Sequence, residues 1–367
     1  MKIIFLSFSD MVTNGTATRI IQLARETAGD VRLIFDGHHR GDTASLRPLR
    51  ISFTPKILNK PLTLGVGIIY KTIWCLRQKP DIIHCFKPLP TSYIPALVAA
   101  KLTGARLVLD FDDLEDGHGL ARRDPRLWRG LLTWFQNRAL AQAPVVVAAT
   151  QALAQVARRF RTEVKVVENG VTVRPDVETG SMASGAENRA VSALYVGSLY
   201  KTSDLDLALE AMTYCPGIKL VVAGDGPLKG MYQDLAVKLG LGSRVEFLGA
   251  VPWPRIPDLI RTATVGLLPM RDNRANQCRS PVKLGEYMAA GLPVVASPVG
   301  IVPDWISHGH NGLLADTPQE MGQAVARICE DARLARSLGR MARESVEQAH
   351  LWRLSGEQLN RLYGSLR

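Results

Sequence analysis

Short continuous apolar runs punctuate the first half of the chain at Ile3–Ser7, Val31–Phe35, Asp81–Phe86, Arg106–Asp110 and Val145–Ala149. Helix-like stretches lie between them, near 17–28, 91–103, 128–142 and 151–160. Runs without apolar–polar alternation predict strands covered on both faces, and so a parallel sheet with helical crossovers. The segment TGSMASGAENR, 179–189, is small and polar and reads as a linker. The pattern then restarts, with strands at Ala193–Val196, Lys219–Ala223, Val245–Leu248, Val265–Leu268 and Pro293–Ser297 and helices near 205–213, 228–239 and 255–262. Two serial βα halves predict an α/β chain of two doubly wound, Rossmann-like domains. The expected division is an N-terminal domain over 1–175, a linker over 176–190, a C-terminal domain over 191–348, and a C-terminal helix over 349–367 that crosses back to the N-terminal domain. Ligands of such sheets sit beyond the carboxyl ends of the strands, so an interdomain cleft is the expected site.

The length of 367 residues, more than one core usually organises, supports the same division. No apolar run is long enough to span a bilayer. The apolar part of MKIIFLSFSD is too short for a secretory signal and is expected to form the first strand. Cys75, Cys85, Cys215, Cys278 and Cys329 are scattered without a CxxC pair, which suits a reducing cytoplasm. The net charge of +11 changes the picture through its distribution. From Thr43 to Pro80 there is no Asp or Glu, while Arg47, Arg50, Lys56, Lys60, Lys71, Arg77 and Lys79 alternate with Ile, Leu, Val and Trp74. Arg122, Arg123, Arg126 and Arg129 sit beside Trp128, Trp134 and Phe135. Such segments suit an anionic membrane surface or an anionic acceptor, and equally a solvated face. No nucleic-acid-binding signature accompanies them, so nucleic acid is not an expected partner.

Candidate chemistry concentrates in CRSPVKLGEYMAAGLPVVAS, Cys278–Ser297. Ser280 is a good N-cap and Pro281 suits the first helical position, so a helix is expected to start there. Its free N–H groups and dipole would attract an anion, with Lys283 in the first turn. Glu286, three residues on, shares the face of Lys283 and lies about 7–8 Å from Pro281 along the axis. That spacing suits a diphosphate followed by a ribose; it also fits a capped surface helix with one Lys–Glu pair. Gly224-Asp225-Gly226-Pro227 ends a strand and permits close backbone approach to a ligand, or is a tight βα turn. Its spacing is not the dinucleotide fingerprint. Thr13-Asn14-Gly15-Thr16 offers the same choice after the first strand. The carboxylates of Asp110–Asp116 form a loop expected to shape an acceptor site, with His118 included; as a metal site the pattern is weak. His308-Gly309-His310 lacks a third ligand and reads as a polar turn.

Together, VVAGDGPLKG, SPVKLGEYMAAGLPVVAS and HGHNGLLA resemble the C-terminal domain of the GT-B glycosyltransferases of family 4. Asn14-Gly15, Glu168-Asn169-Gly170-Val171 and the terminal Trp352 segment follow the family order, more loosely. The resemblance implies retaining transfer of a sugar from a UDP- or GDP-sugar to a hydroxyl acceptor, lipid-linked or glycan, by a cytoplasmic enzyme, peripheral on the membrane. It implies Glu286 on the ribose and Ser280, Val282 and Lys283 at the diphosphate, with no metal or other cofactor. Donor-site membership extends by the same resemblance to Gly15, Gly197, Ser198, Gly224, Asp225, Gly226, Cys278, Arg279 and Pro281. Three positions depart from the family pattern. Cys278 stands where many members carry a Glu that approaches the sugar. Ser198 and Ser203 stand where an Arg and a Lys meet the diphosphate, with Lys201 or Arg279 as substitutes. Asp112 or Asp113 stands where many members place a His. These departures admit a second reading, a nucleotide-sugar-binding subunit without transfer chemistry. A nucleotide-sugar epimerase of the same fold lacks a visible acid/base pair.

Overall fold

The computed structural model describes residues 1–7, 15–35, 50–53, 60–114, 125–160, 163–173, 191–200 and 202–366. Their contacts divide into two compact units. The first comprises 1–169, 278–280 and 352–367; the second comprises 170–277 and 281–351. The expected linker at 179–189 lies outside the described residues.

In the first unit, strands β1 (Lys2–Leu6), β2 (Asp30–Phe35), β3 (Arg50–Phe53), β4 (Ile82–Phe86), β5 (Arg106–Phe111), β6 (Val145–Ala148) and β7 (Glu163–Val166) form one sheet. Its order is β3-β2-β1-β4-β5-β6-β7, and every pairing is parallel. The apolar runs of β1 and β4 are buried on both faces, as their lack of alternation requires. One face packs on the helices Lys60–Gln78, Pro90–Thr103, Pro125–Gln142 and Gln151–Arg158, the other on Gly15–Glu26 and the C-terminal helix Trp352–Ser365. Trp352, Leu359, Leu362 and Tyr363 enter the same apolar cluster as Ile3, Phe5 and Ile20. Asn360 accepts from Ala28 N at 2.8 Å and donates to Glu26 O at 2.9 Å, closing the C-terminal end of the helix Gly15–Glu26.

The second unit repeats the plan. Strands β8 (Ser192–Val196), β9 (Lys219–Ala223), β10 (Val245–Gly249), β11 (Val265–Leu268), β12 (Val294–Ala296) and β13 (Leu313–Leu314) are parallel, in the order β10-β9-β8-β11-β12-β13. Each sheet therefore reverses direction beside its own first strand, between β1 and β4 and between β8 and β11. A doubly wound sheet opens a ligand crevice at such a point.

The edge strands β3, β7 and β13 have no counterpart among the predicted runs. In β7, exposed and half-buried residues alternate, and β13 has two residues, so neither carries the continuous apolar signature of a central strand.

Candidate functional site

The carboxyl end of β8 is shaped by one aromatic side chain. Tyr287 reaches from the helix Val282–Ala289 under the sheet, accepts from Val196 N at 2.8 Å and lies 3.4 Å from Leu194 O. β11 pairs with β8 only at Ala193 and Leu194, so the Val196 amide, left by the ladder, is satisfied by the phenol instead. Gly266 in β11 makes room for the ring: a Cβ there would lie 2.6 Å from Tyr287 Cδ2. The helix is thereby fixed against the switch point with its first turn at the end of β8.

That helix begins one residue later than expected. Pro281, at φ −75° and ψ 106°, is extended and occupies the N-cap, and Val282 is the first helical residue. No side chain caps the turn. The Ser280 carbonyl faces Asn169 Nδ2 at 3.5 Å, which corrects the expectation that Ser280 caps the helix. The first-turn amides retain the positive end of the helix dipole.

Lys283 and Glu286 project from this helix, both half-buried. The Lys283 ammonium lies 4.1 Å from the centre of the Tyr195 ring, a cation–π contact. It is so near Gly197 that a Cβ there would stand 2.7 Å from Nζ. Lysine and the end of β8 are thus brought together. Burial pushes the Glu286 carboxyl up to about 8, and Lys283 opposes the shift without cancelling it.

Gly224, Asp225 and Gly226 follow β9. A Cβ on Gly224 would lie 1.9 Å from Gly197 O, and one on Gly226 would lie 2.4 Å from Leu199 O. Gly197 N donates to Ala223 O at 3.0 Å, and Leu199 N to Asp225 O at 2.9 Å. These glycines let the loops after β8 and β9 pack backbone to backbone, giving the tight βα turn a concrete basis. Asp225 is exposed and accepts locally from Gly226 N at 2.9 Å. Ser198 is exposed beside Gly197. Ser203 is buried, its hydroxyl held by Tyr200 O at 2.6 Å and Tyr232 Oη at 2.7 Å, so the residue aligned with a family phosphate contact is occupied structurally. Lys201 lies outside the described residues.

Sequence reasoning missed the network that holds the loop after β11. The Asp204 carboxylate accepts from Arg271 N at 3.0 Å, Arg271 Nη1 at 2.9 Å and Asn276 Nδ2 at 2.7 Å. Those partners are 67 and 72 residues away, so only the fold reveals them.

Cys278, Arg279 and Ser280 cluster with the first unit. Cys278 is 3% exposed and packs in the apolar cluster with Ala149 and Leu153, and its carbonyl accepts from Thr150 Oγ1 at 3.2 Å. The thiol therefore presents little surface, and a donor contact at this position would come from its backbone. Arg279 and Val282 are half-buried.

At the first unit's switch point, Arg19 Nε and Nη2 donate to Asp110 Oδ1 and Oδ2, both at 2.9 Å, and Nη1 donates to Asn169 Oδ1 at 3.0 Å. His84 Nε2 stands 3.1 Å from Asp110 Oδ2, and Nδ1 meets the Tyr363 hydroxyl. Burial alone would raise the Asp110 carboxyl; Arg19 and His84 outweigh it and hold the pKa below the ordinary value. Burial pushes the His84 imidazole down, so it is neutral and its Nε2 proton points at the carboxylate.

Two residues along the same strand direction, Asp112 is different. Thr16 Oγ1 donates to its Oδ2 at 2.7 Å and Lys87 Nζ stands 3.9 Å from its Oδ1, which is buried without a hydrogen-bond partner. Burial raises this carboxyl, with Lys87 opposing. Lys87 adopts a left-handed backbone, φ 70°, at the end of β4. Asp113 accepts from Leu114 N at 2.9 Å. Gly15 opens the helix that carries Thr16, and His118 lies outside the described residues. Among the described residues no three His, Cys, Asp or Glu side chains group so as to hold a metal ion.

The family model for glycosyl transferases group 1 matches residues 181–345, and that for glycosyltransferase family 4 matches residues 13–174. The chain belongs to the GT-B glycosyltransferases of family 4. It is similar to an exopolysaccharide phosphotransferase of Streptomyces coelicolor, 35% identical over 40% of this chain and 16% of that protein, so it spans a small part of that relative's length. It is 24% identical to N-acetyl-alpha-D-glucosaminyl L-malate synthase of Bacillus anthracis, over 74% of this chain and 71% of that protein. The fold is shared with Anabaena HepE, solved with UDP and glucose, at a TM-score of 0.72 and 18% identity, covering 100% of both chains.

Proposed function

We propose that the chain transfers a sugar, with retention of anomeric configuration, from a nucleoside diphosphate donor to a hydroxyl of a lipid-linked or glycan acceptor. The observation that carries this reading is the Lys283 ammonium held against the end of β8, on a helix that carries Glu286 three residues on. HepE, solved with UDP and glucose, supports the donor class. The Glu286 carboxyl takes the vicinal ribose hydroxyls. The first-turn amides of the helix Val282–Ala289 and Lys283 take the diphosphate, with Arg279 or Lys201 adding charge; no metal is assigned a role.

In the reaction the bond from the anomeric carbon to the diphosphate oxygen breaks and a bond to the acceptor oxygen forms on the same face. The acceptor proton passes to the departing phosphate oxygen. Lys283 stabilises the negative charge that grows on the leaving group, and this stabilisation is larger in the transition state than in the bound donor. Asp112, through the oxygen that lacks a hydrogen-bond partner, receives the acceptor hydroxyl, with Lys87 beside the carboxylate. Asp113 and His118 are assigned to the acceptor side with it.

The test is a panel of UDP- and GDP-sugars, with nucleoside diphosphate release measured with and without hydroxyl acceptors. Release from one donor, accelerated by an acceptor, is expected. Tight donor binding with no release under any condition favours the binding-subunit reading, to which the buried Cys278 thiol lends support. No thermal stabilisation by any nucleotide contradicts both.

A further inference from the structure

Gly285 lies inside the helix Val282–Ala289, and its φ is not in the left-handed range. Its backbone therefore asks for no glycine, and glycine is one of the poorest residues inside a helix. What the position requires is room. A Cβ there would lie 2.1 Å from Val171 Cγ1 and 3.1 Å from Trp305 Cζ3. Val171 and Trp305 share one buried apolar cluster with Leu284, Tyr287 and Met288 of the helix. All of these residues belong to the second unit.

Val171 is itself held in place. Its N–H donates to His350 O at 2.7 Å, and it pairs in parallel with Leu351. The His350 ring stacks on Trp305, with centroids 4.0 Å and planes 21° apart. The Trp305 carbonyl accepts from Asn311 Nδ2 at 3.0 Å, and the same amide donates to Ser345 Oγ at 2.9 Å. Two stretches far apart in sequence thus form a strap with a fixed backing, and Val171 is the part of it that enters the notch at Gly285.

At about 100° per residue, Gly285 lies about 160° around the helix from both Lys283 and Tyr287. The strap therefore presses on the side opposite to the one that meets β8. On that other side Tyr287 accepts from Val196 N, and Lys283 lies over the Tyr195 ring. Gly266 makes room for the Tyr287 ring, and Gly285 makes room for Val171. A helix confined from both sides yields to a larger residue 285 only by tilting or sliding, and Lys283 and Glu286 move with it.

We propose that Val171 is a positioning residue: seated at Gly285, it sets where the helix Val282–Ala289 lies against β8, and so where Lys283 and Glu286 meet a nucleoside diphosphate. This role rests on the donor reading of that helix and extends it to a buried residue that acts through the helix.

The test is calorimetric titration of UDP and GDP into the full chain and its variants. Gly285→Ala should weaken binding of the nucleotide that the wild type takes by about tenfold. Val171→Ala alone should weaken it about threefold, and Gly285→Ala combined with Val171→Ala should bind within about threefold of the wild type. That rescue separates positioning from lost stability, because unrelated losses add and do not cancel. Gly322→Ala is the control. A Cβ there would lie 2.3 Å from Ala211 O, so it should lower the melting temperature and leave affinity unchanged. Val171→Ile extends the side chain toward Gly285 and replaces Gly285→Ala if that variant melts early, with the same weakening expected. Binding of neither nucleotide by the wild type overturns the donor reading and this role with it. Wild-type affinity in Gly285→Ala or its Val171→Ile substitute, a double variant as weak as Gly285→Ala, or equal weakening by Gly322→Ala overturns the positioning role alone.

Discussion

Two crevices of the same topology have been filled in opposite ways. Beside β1, Asp110 is saturated by two Arg19 contacts and His84, with Tyr363 from the C-terminal helix closing the network. Beside β8, Lys283 rests on an aromatic face and Glu286 is pushed up to about 8 by burial. The strand order supplies a crevice in both; the side chains pair with one another beside β1, and the proposed donor site lies beside β8. A saturated buried ion pair has nothing left to offer, whereas a desolvated carboxyl beside a lysine is poised to gain from polar partners. Asp112 shows the boundary at short range, since it shares the Asp110 strand direction and keeps one oxygen without a hydrogen-bond partner.

The largest effect expected is on the saturated side. Asp110→Ala leaves Arg19 buried and unpaired, and should destabilise the protein by about 3–5 kcal/mol in denaturant unfolding. A loss below 1 kcal/mol would erase the contrast between the crevices. Lys283→Ala should do the reverse, lowering kcat/KM for donor about 100-fold while the melting temperature moves little. Equal kinetics would remove Lys283 from the site. Gly266→Ala sets a methyl against the Tyr287 ring and should cost about 1–3 kcal/mol, with weaker nucleotide binding as the helix shifts. Stability lost without any change in binding would separate the ring from the site.

The smallest effect is on pH dependence. The Glu286 pKa is raised from the ordinary value of 4.5 to about 8, so the folded state keeps a proton that the unfolded chain loses. Its contribution to stability is full below about 4.5 and falls as pH rises to about 8. Glu286→Gln should flatten the melting temperature across that window; an identical pH profile in both proteins would show that the carboxyl titrates normally.

The central strands and the Lys283–Glu286 spacing were legible in the sequence because both are local. A buried parallel strand needs a continuous apolar run, and two side chains three apart on a helix share a face. The helix start was misread by one residue because Pro281 suits the N-cap as well as the first turn, and the Ser280 carbonyl faces Asn169. The burial of Cys278 was not legible because a motif aligns positions and says nothing of which way a side chain is buried. The Arg19–Asp110–His84–Tyr363 network joins residues 91 and 279 apart, and no local pattern encodes such a closure.

The central claim is that the crevice beside β8 holds the donor nucleotide. Calorimetric titration of UDP and GDP into the wild type, Lys283→Ala, Glu286→Ala and Asp112→Asn tests it most directly. One nucleotide should bind the wild type and Asp112→Asn alike, and bind both the Lys283 and Glu286 variants at least tenfold more weakly. Wild-type affinity in the Lys283 and Glu286 variants, or its loss in Asp112→Asn alone, would contradict the account.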